Sequence, residues 1–374
     1  MKELKKGKGI IFLVIILIIL IIVAGVLLFF KITGTQMKNA NQQYQMQVAT
    51  NEINQEQEAQ IVEMKEPQIF KGTDRPIAVM IDNHEDALPQ GGLNDAYLVY
   101  EIIVEGGESR LMALFKGKDL EKIGPVRSAR HYFLDYALEN DAIYVHFGES
   151  PQAKSDIKKL GVDAINGIYE SSTSFWRTRD KYAPHNVATS TQQIKKIAQS
   201  EEYTLTSTKD SVLNYSVNSV DLGENAQNAD KVVIPYCDWN VVTYTYNPET
   251  KRYNRNSKGI DETDWTTGEP VTTKNIIIEK AKNTTLNDGE NKGRQTLDNI
   301  KILEGYYITE GKAIPITCEK TSRSSQTIYK DLEGNEIEVN DGNTFIQICP
   351  IDAEVEIIGA EPETEEQQEN IVEM

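Results

Sequence analysis

The sequence predicts an α/β layered sandwich domain, followed by a smaller, mostly β domain, behind a single N-terminal transmembrane helix. Three observations carry this. Strand-like and helix-like runs alternate between about residues 70 and 205. Helical periodicity then gives way to short alternating runs broken by turn residues, over about 229–358. Residues 10–30, IIFLVIILIILIIVAGVLLFF, carry no polar side chain and are long enough, at about 1.5 Å per residue, to cross a hydrocarbon layer of roughly 30 Å.

The N-terminal segment 1–9 holds Lys2, Lys5, Lys6 and Lys8 ahead of the apolar run. Lysines on that side predict a cytoplasmic N-terminus, with the bulk of the chain extracytoplasmic. A cleaved signal peptide would have a shorter apolar region and a small-residue cleavage site, and Thr33-Gly34-Thr35 matches that poorly. Residues 31–69 are rich in Gln, Asn and Glu and cannot support a core of their own, so they read as a stalk. Residues 206–228 read as a polar linker and 359–374 as an acidic disordered tail.

The α/β elements follow in order. PIAVMID alternates Ile77, Val79 and Ile81 as a strand. AYLVYEIIVEGGESRLMALFKG predicts two strands joined at Gly106-Gly107. IGPVRSARHYFLDYALEND, residues 123–141, predicts a helix with Pro125 at its first position, because Val126, Ala129, Phe133 and Ala137 recur at helical spacing. AIYVHFG is a further strand, and the helix after it has Ser150 as N-cap, Pro151 at its first position and Gly161 beyond its end. TSTQQIKKIAQ is a helix with a Ser/Thr cap. In the later segment, KVVIPY, NVVTYTYNPETKRYNRN, VTTKNIIIEK, GYYITEGKAIPITCEK, SQTIYKDLEGNEIEV and TFIQICP read as strands and hairpins.

Composition excludes several functions. A net charge of −18 argues against nucleic-acid binding, which needs basic patches. Cys237, Cys318 and Cys349 lack CxxC spacing, so no zinc or redox motif is expected and a Cys318–Cys349 bridge is not favoured. GESPQ resembles a nucleophile elbow, but Gln152 stands where glycine is required, so Ser150 is a helix cap. There is no HExxH, P-loop or dinucleotide fingerprint. Asp82 and His84, with a distant His146 or His185, have the chemistry of a divalent metal site; a backbone-bonded turn with a solvated His84 is favoured instead, so no metal or cofactor is expected. His131 is expected to pack or to face solvent.

The arginines are the main signal. In a helix beginning at Pro125, Arg127 and Arg130 share a face in the first turn, where the helix dipole already presents partial positive charge. Something anionic belongs beside them. Tyr97, Val99, Glu101, Ile103 and Glu105 project to one face of a strand, and buried carboxylates come paired. One answer is therefore that Arg110, Arg127 and Arg130 neutralise Glu101, Glu105, Asp82 or Asp95. The other is an anion site of Arg110, Arg127, Ser128 and Arg130, with Asp82, Asn83, Glu101 and Glu105 as its acidic and polar partners. SFWRTRDKYAPHN, with Arg177, Arg179, His185 and Asn186, has the composition of a recognition loop.

Three long stretches resemble the N-terminal domain of the YerB-like family (DUF3048): RPIAVMIDNHEDALPQGGLNDAYLVYEIIVEGGESRLMALF, IGPVRSARHYFLDYALENDAIYVHFGESPQA and RDKYAPHN. YNPETKRYNRNSKGIDETDWTTGEPVTTKNIIIE and YKDLEGNEIEVNDGNTFIQICP resemble its C-terminal domain. The resemblance covers about residues 70–355. It implies an α/β sandwich followed by a smaller β-rich domain in a membrane-attached, extracytoplasmic bacterial protein. Family members are commonly described as lipoproteins, whereas no cysteine follows the apolar run here. The family brings no catalytic residues with it.

The expected function is a non-enzymatic, membrane-anchored binding or accessory protein of the cell envelope, recognising an anionic envelope component or a membrane protein partner. A hydrolase or transferase using Asp82, Glu101 or Glu105 as general acid or base, with or without a metal, is the alternative. A structural scaffold of a membrane complex is a third.

Overall fold

The computed structural model describes residues 67–359, together with 23–29, 31, 33, 34 and 45. Residues 1–65 and 66–374 form separate compact units. In the first, Val23–Phe29 is helical. Among the described residues no helix is long and apolar enough to cross a membrane. Residues 10–22, most of the expected span, lie outside the described residues, as do the basic segment, nearly all of the stalk and the end of the acidic tail.

The second unit is built on β1 (Ile77–Asp82), β2 (Leu98–Ile103), β3 (Ser109–Phe115), α1 (Phe133–Glu139), β4 (Ile143–His146), α2 (Pro151–Leu160), β5 (Ala164–Asn166) and α3 (Thr191–Ser200). It continues through β6 (Lys231–Pro235), β7 (Val241–Asn247), β8 (Arg252–Ser257), β9 (Asn275–Thr285), β10 (Ile302–Thr309), β11 (Lys312–Glu319), β12 (Ile328–Lys330), β13 (Thr344–Pro350) and β14 (Glu356–Ile358).

One mixed sheet runs β12-β11-β10-β9-β13-β2-β3-β1-β4-β5, with two short strands added at its sides. It joins the early and late segments through the parallel pair β2–β13, in which Leu98 faces Thr344 and Ile102 faces Ile348. β1 runs parallel to β4, and β1 and β2 are both antiparallel to β3. The C-terminal ends of β1, β2, β4, β5 and β13 therefore share one edge. A second sheet, which contains the run β8-β7-β6-β14 with β14 at its edge, covers part of one face.

Alternation along β1 explains the layering. Ile77, Val79 and Ile81 enter a core shared with Ile194 and Ile197 of α3 and with Val232, Val242 and Tyr244 of the second sheet. Ala78 and Met80 enter the opposite core, with Phe133, Leu134 and Tyr136 of α1 and Ala153 of α2. The segment expected as a polar linker adds Val212, Leu213 and Tyr215 to that core, and Tyr215–Ser216 pairs in parallel with Val339–Asn340. Helix caps follow the sequence: Ser150 accepts from Ala153 N at 3.2 Å and Ser190 from Gln193 N at 3.2 Å, while Gly161 closes α2 at φ 63°. The three cysteines are free.

The helix expected from Pro125 is corrected. Residues 123–130 are extended and irregular, and α1 begins only at Phe133. Their backbone groups are taken by neighbours: Val126 N donates to Val187 O, Arg127 N to Met80 O and Ala129 N to Gly148 O, while Pro125 O accepts from Asp82 N. The periodicity was coincidental. Val126 belongs to one core, and Phe133 and Ala137 to the other. Gly124 sits at φ 139°, where an added Cβ would lie 2.7 Å from Val187 O, so this crossing tolerates no side chain there.

Candidate functional site

The strand-end edge collects most of the predicted residues. β1 ends at Asp82, which faces Arg110 of β3 in register. The turn after β2 brings Glu105 to the same edge, and the extended segment 123–130 lays Arg127 and Arg130 across it. In open α/β sheets, this edge is where ligands sit.

Arg127 Nε lies 3.1 Å from Asp82 Oδ2, an ion pair in which the N–H is not aligned as a hydrogen bond. Arg130 grips Glu105 with two bonds, Nε to Oε1 at 2.5 Å and Nη2 to Oε2 at 2.9 Å. Arg110 donates to the backbone carbonyl of Ser128 at 2.7 Å and stands 3.8 Å from Glu105. Three guanidiniums thus meet two carboxylates. The crowding shows in Arg110: burial, then the repulsion of Arg130 and Arg127, brings it down to about 10 despite Glu105 and Asp82. Burial favours the neutral form of Glu105, but Arg130 and Arg110 outweigh it and hold the carboxyl below its ordinary value. Arg127 keeps 24% of its side-chain surface in solvent, the most of the three.

The predicted recognition loop contributes one residue to this cluster. His185 Nδ1 is 2.8 Å from Asp82 Oδ2, and its ring stacks on His84 with centroids 4.4 Å apart. Asn186 is buried and ties the loop together through Thr178 O and Lys181 O. Arg177 is held by Asn186 at 2.7 Å and lies over the Phe147 ring, away from the cluster. Arg179 is exposed. His146 is buried, with Nδ1 on Gly148 O at 2.8 Å, and burial pushes its imidazole down to about 4. His131 is half-buried against Thr296.

Glu101 leaves the site. It is fully buried, and its partner is neither Arg110, Arg127 nor Arg130 but Arg255 of β8, at 2.7 Å. Ser109 and Asn83 complete its shell at 2.6 and 3.0 Å, and Arg255 also binds Glu262. The expectation failed because the partner lies 154 residues away in sequence. A signal did exist: in β8, Tyr253, Arg255 and Ser257 alternate inward, which places a charge among core positions. Lys258, equally unforeseen, donates to Asn83 O at 2.7 Å and to Glu108 at 2.5 Å, tying the late segment to the β1 turn.

Fold and edge cluster together define an extended mixed-sheet protein with an arginine-rich strand-end site, in two sequence segments sharing one sheet. A family model described as the N-terminal domain of a protein of unknown function (DUF3048) matches residues 64–204, and the model of its C-terminal domain matches residues 232–346. The chain belongs to this family. "Putative lipoprotein YerB" of Bacillus subtilis (strain 168) is 33% identical over 287 residues, 74% of this chain and 81% of the relative. The crystal structure of the YerB protein from Bacillus subtilis superposes with a TM-score of 0.68 at 30% identity, covering 78% of this chain and 98% of that one.

Proposed function

We propose that this chain is a membrane-associated protein of the bacterial envelope that binds an anionic group at the Arg127 end of the strand-end cluster. The group is a carboxylate or phosphate of an envelope component or of a membrane protein partner. The observation that carries this is stoichiometric: Arg110, Arg127 and Arg130 meet only Asp82 and Glu105, which leaves one positive charge in excess beside a partly exposed guanidinium. The part of the Arg127 guanidinium that reaches solvent is a forked donor suited to a planar or tetrahedral oxyanion. The envelope assignment draws on the lipoprotein description of YerB and on the apolar run at residues 10–30, which serves as the anchor in place of a lipidated cysteine.

The test is thermal unfolding of the full-length chain in detergent, against inorganic phosphate, citrate and soluble wall fragments, with Arg127→Ala alongside. A ligand that binds only the folded state stabilises it by about 2.7 kcal/mol at a hundred times its Kd. The expected result is an anion that raises the midpoint of the parent and not of the folded variant. No shift in the parent, or equal shifts in both, overturns the proposal.

The Asp82–His185 contact at 2.8 Å favours the second function, a hydrolase or transferase, since a carboxylate orients an imidazole for acid/base work. Glu101 has no part in it, being sealed from solvent. Turnover of a wall substrate by the parent, abolished in Asp82→Asn, is the result that would establish this activity over simple binding.

A further inference from the structure

We propose that His84, Asp86 and His185 form a site for a divalent transition-metal ion of the zinc type. This goes beyond anion binding and does not depend on it.

The three residues offer ligand atoms that all lie within 4.8 Å of one another. His84 Nδ1 is 3.5 Å from Asp86 Oδ2. Nitrogen and oxygen ligands about 2.0–2.2 Å from one tetrahedral ion stand roughly 3.4 Å apart, so this pair is already at ligand spacing. An ion there takes over the Nδ1 lone pair that otherwise accepts the Asp86 N–H at 3.1 Å. His185 has its Nδ1 committed to Asp82 at 2.8 Å, which leaves Nε2 as its ligand atom. A carboxylate on the far nitrogen is the arrangement that fixes the tautomer of metal-binding histidines and raises their basicity. The stacked rings, 24° from parallel, keep the two imidazoles side by side. Asp86 is two-thirds exposed and free to rotate inward.

The surrounding charges fit a cation. Asp82 and Asp86 lie against the imidazoles, and Glu108 Oε1 is 3.8 Å from His84 Nε2. Arg127 is on Asp82 and Lys258 on Glu108, so each of these cations meets a carboxylate that also meets one of the imidazoles. Two nitrogens and one oxygen suit borderline-soft zinc better than calcium or magnesium, which take oxygen ligands. Three protein ligands leave a fourth position for water or a ligand oxygen.

The experiment uses the untagged full-length chain in detergent, stripped with a chelator and free of anionic ligands. Cobalt(II) is titrated by its visible absorption, and zinc by competition with a chromophoric chelator. The expected result is one ion per chain, affinity lost at least about 100-fold in His84→Gln and in His185→Gln, and weakened about 10- to 100-fold in Asp82→Asn. His131→Gln, a histidine outside the cluster, binds as the parent does. Unfolding midpoints without metal report whether each variant is folded. If a histidine variant fails to fold, the rise in the parent's own midpoint with zinc decides. Absence of stoichiometric binding and of any midpoint rise in the parent overturns the proposal, as does binding that survives in the folded His84→Gln/His185→Gln double variant.

Discussion

Two groups of arginine and carboxylate lie back to back on β1–β3, joined through the neighbours Asp82 and Asn83, and they are built oppositely. In the inner one, Arg255 sits between Glu101 and Glu262, all three side chains without exposed surface. One cation serves two anions, and Asn83 and Ser109 fill the remaining positions on Glu101. Burial raises the Glu262 carboxyl against the pull of Arg255. In the outer group three cations serve two anions, solvent reaches Arg127, and Glu105 is held low by Arg130 in spite of its burial. The residue types are the same. Water access and charge stoichiometry separate a structural cluster, which has no room for a further anion, from one that has a guanidinium to offer.

The largest expected effect comes from the inner group. Arg255→Ala leaves two carboxylates buried without a cation, and breaking such a pair costs about 3–5 kcal/mol. Urea denaturation at pH 7 measures it as a lower midpoint. A loss below about 1 kcal/mol would show that the inner group is not structural, and the contrast between the two would fail.

A second effect of nearly that size concerns Glu279, a buried carboxylate with no cation among its hydrogen-bond partners. Tyr329 donates to it at 2.7 Å and Tyr136 at 3.4 Å. Burial nevertheless pushes it up to about 7 from 4.5. The folded chain therefore holds this proton after the unfolded chain has released it. The contribution of this group to stability therefore falls as pH rises from about 4.5 through 7 and is level above. Glu279→Gln lacks this fall, so above pH 7 it is more stable than the parent by up to about 3 kcal/mol. Parallel stability profiles of the two chains from pH 5 to 8 would contradict it.

Sequence legibility followed the range of the forces. β1, β2, β3 and β4 were readable because alternation is local. So were α2 and α3, because Ser150, Ser190 and Gly161 act within a few residues. The hairpin between β7 and β8 was readable at Asn247-Pro248-Glu249-Thr250. The union of both segments in one sheet was not, because pairing of Leu98 with Thr344 leaves no local trace. Residues 123–130 misled because their hydrogen-bond partners, Met80, Val187 and Gly148, lie far from them in sequence and overrode a helical pattern. At the site, charge alone called for carboxylates beside the arginines and offered Glu101, Glu105, Asp82 and Asp95; Arg127 and Arg130 meet Asp82 and Glu105, while Glu101 pairs with Arg255 and Asp95 with Lys118. The partner of Arg255 was not legible, because an arginine alternating inward in a late strand gives no hint of which early carboxylate it meets.

The smaller predictions split the outer group. Arg130 makes a two-pronged bond to Glu105 and a third to Ala129 O at 2.7 Å, at 11% side-chain exposure. Arg130→Ala therefore strips a partly buried carboxylate of its main partner and costs about 1–2 kcal/mol. Arg127 differs on each count. It has one ion-pair contact, no aligned N–H on Asp82, and more solvent. A misaligned pair whose guanidinium solvent partly reaches contributes about 1 kcal/mol, although Asp82 itself is buried, and weakens in salt. Asp82 moreover keeps His185 and the His84 N–H when Arg127 is gone. Arg127→Ala is thus expected to unfold within about 1 kcal/mol of the parent in urea, with the difference vanishing in 1 M salt. A larger, salt-insensitive loss would make Arg127 a structural residue like Arg255, and the outer group would then be a second closed cluster with no charge to spare for a ligand.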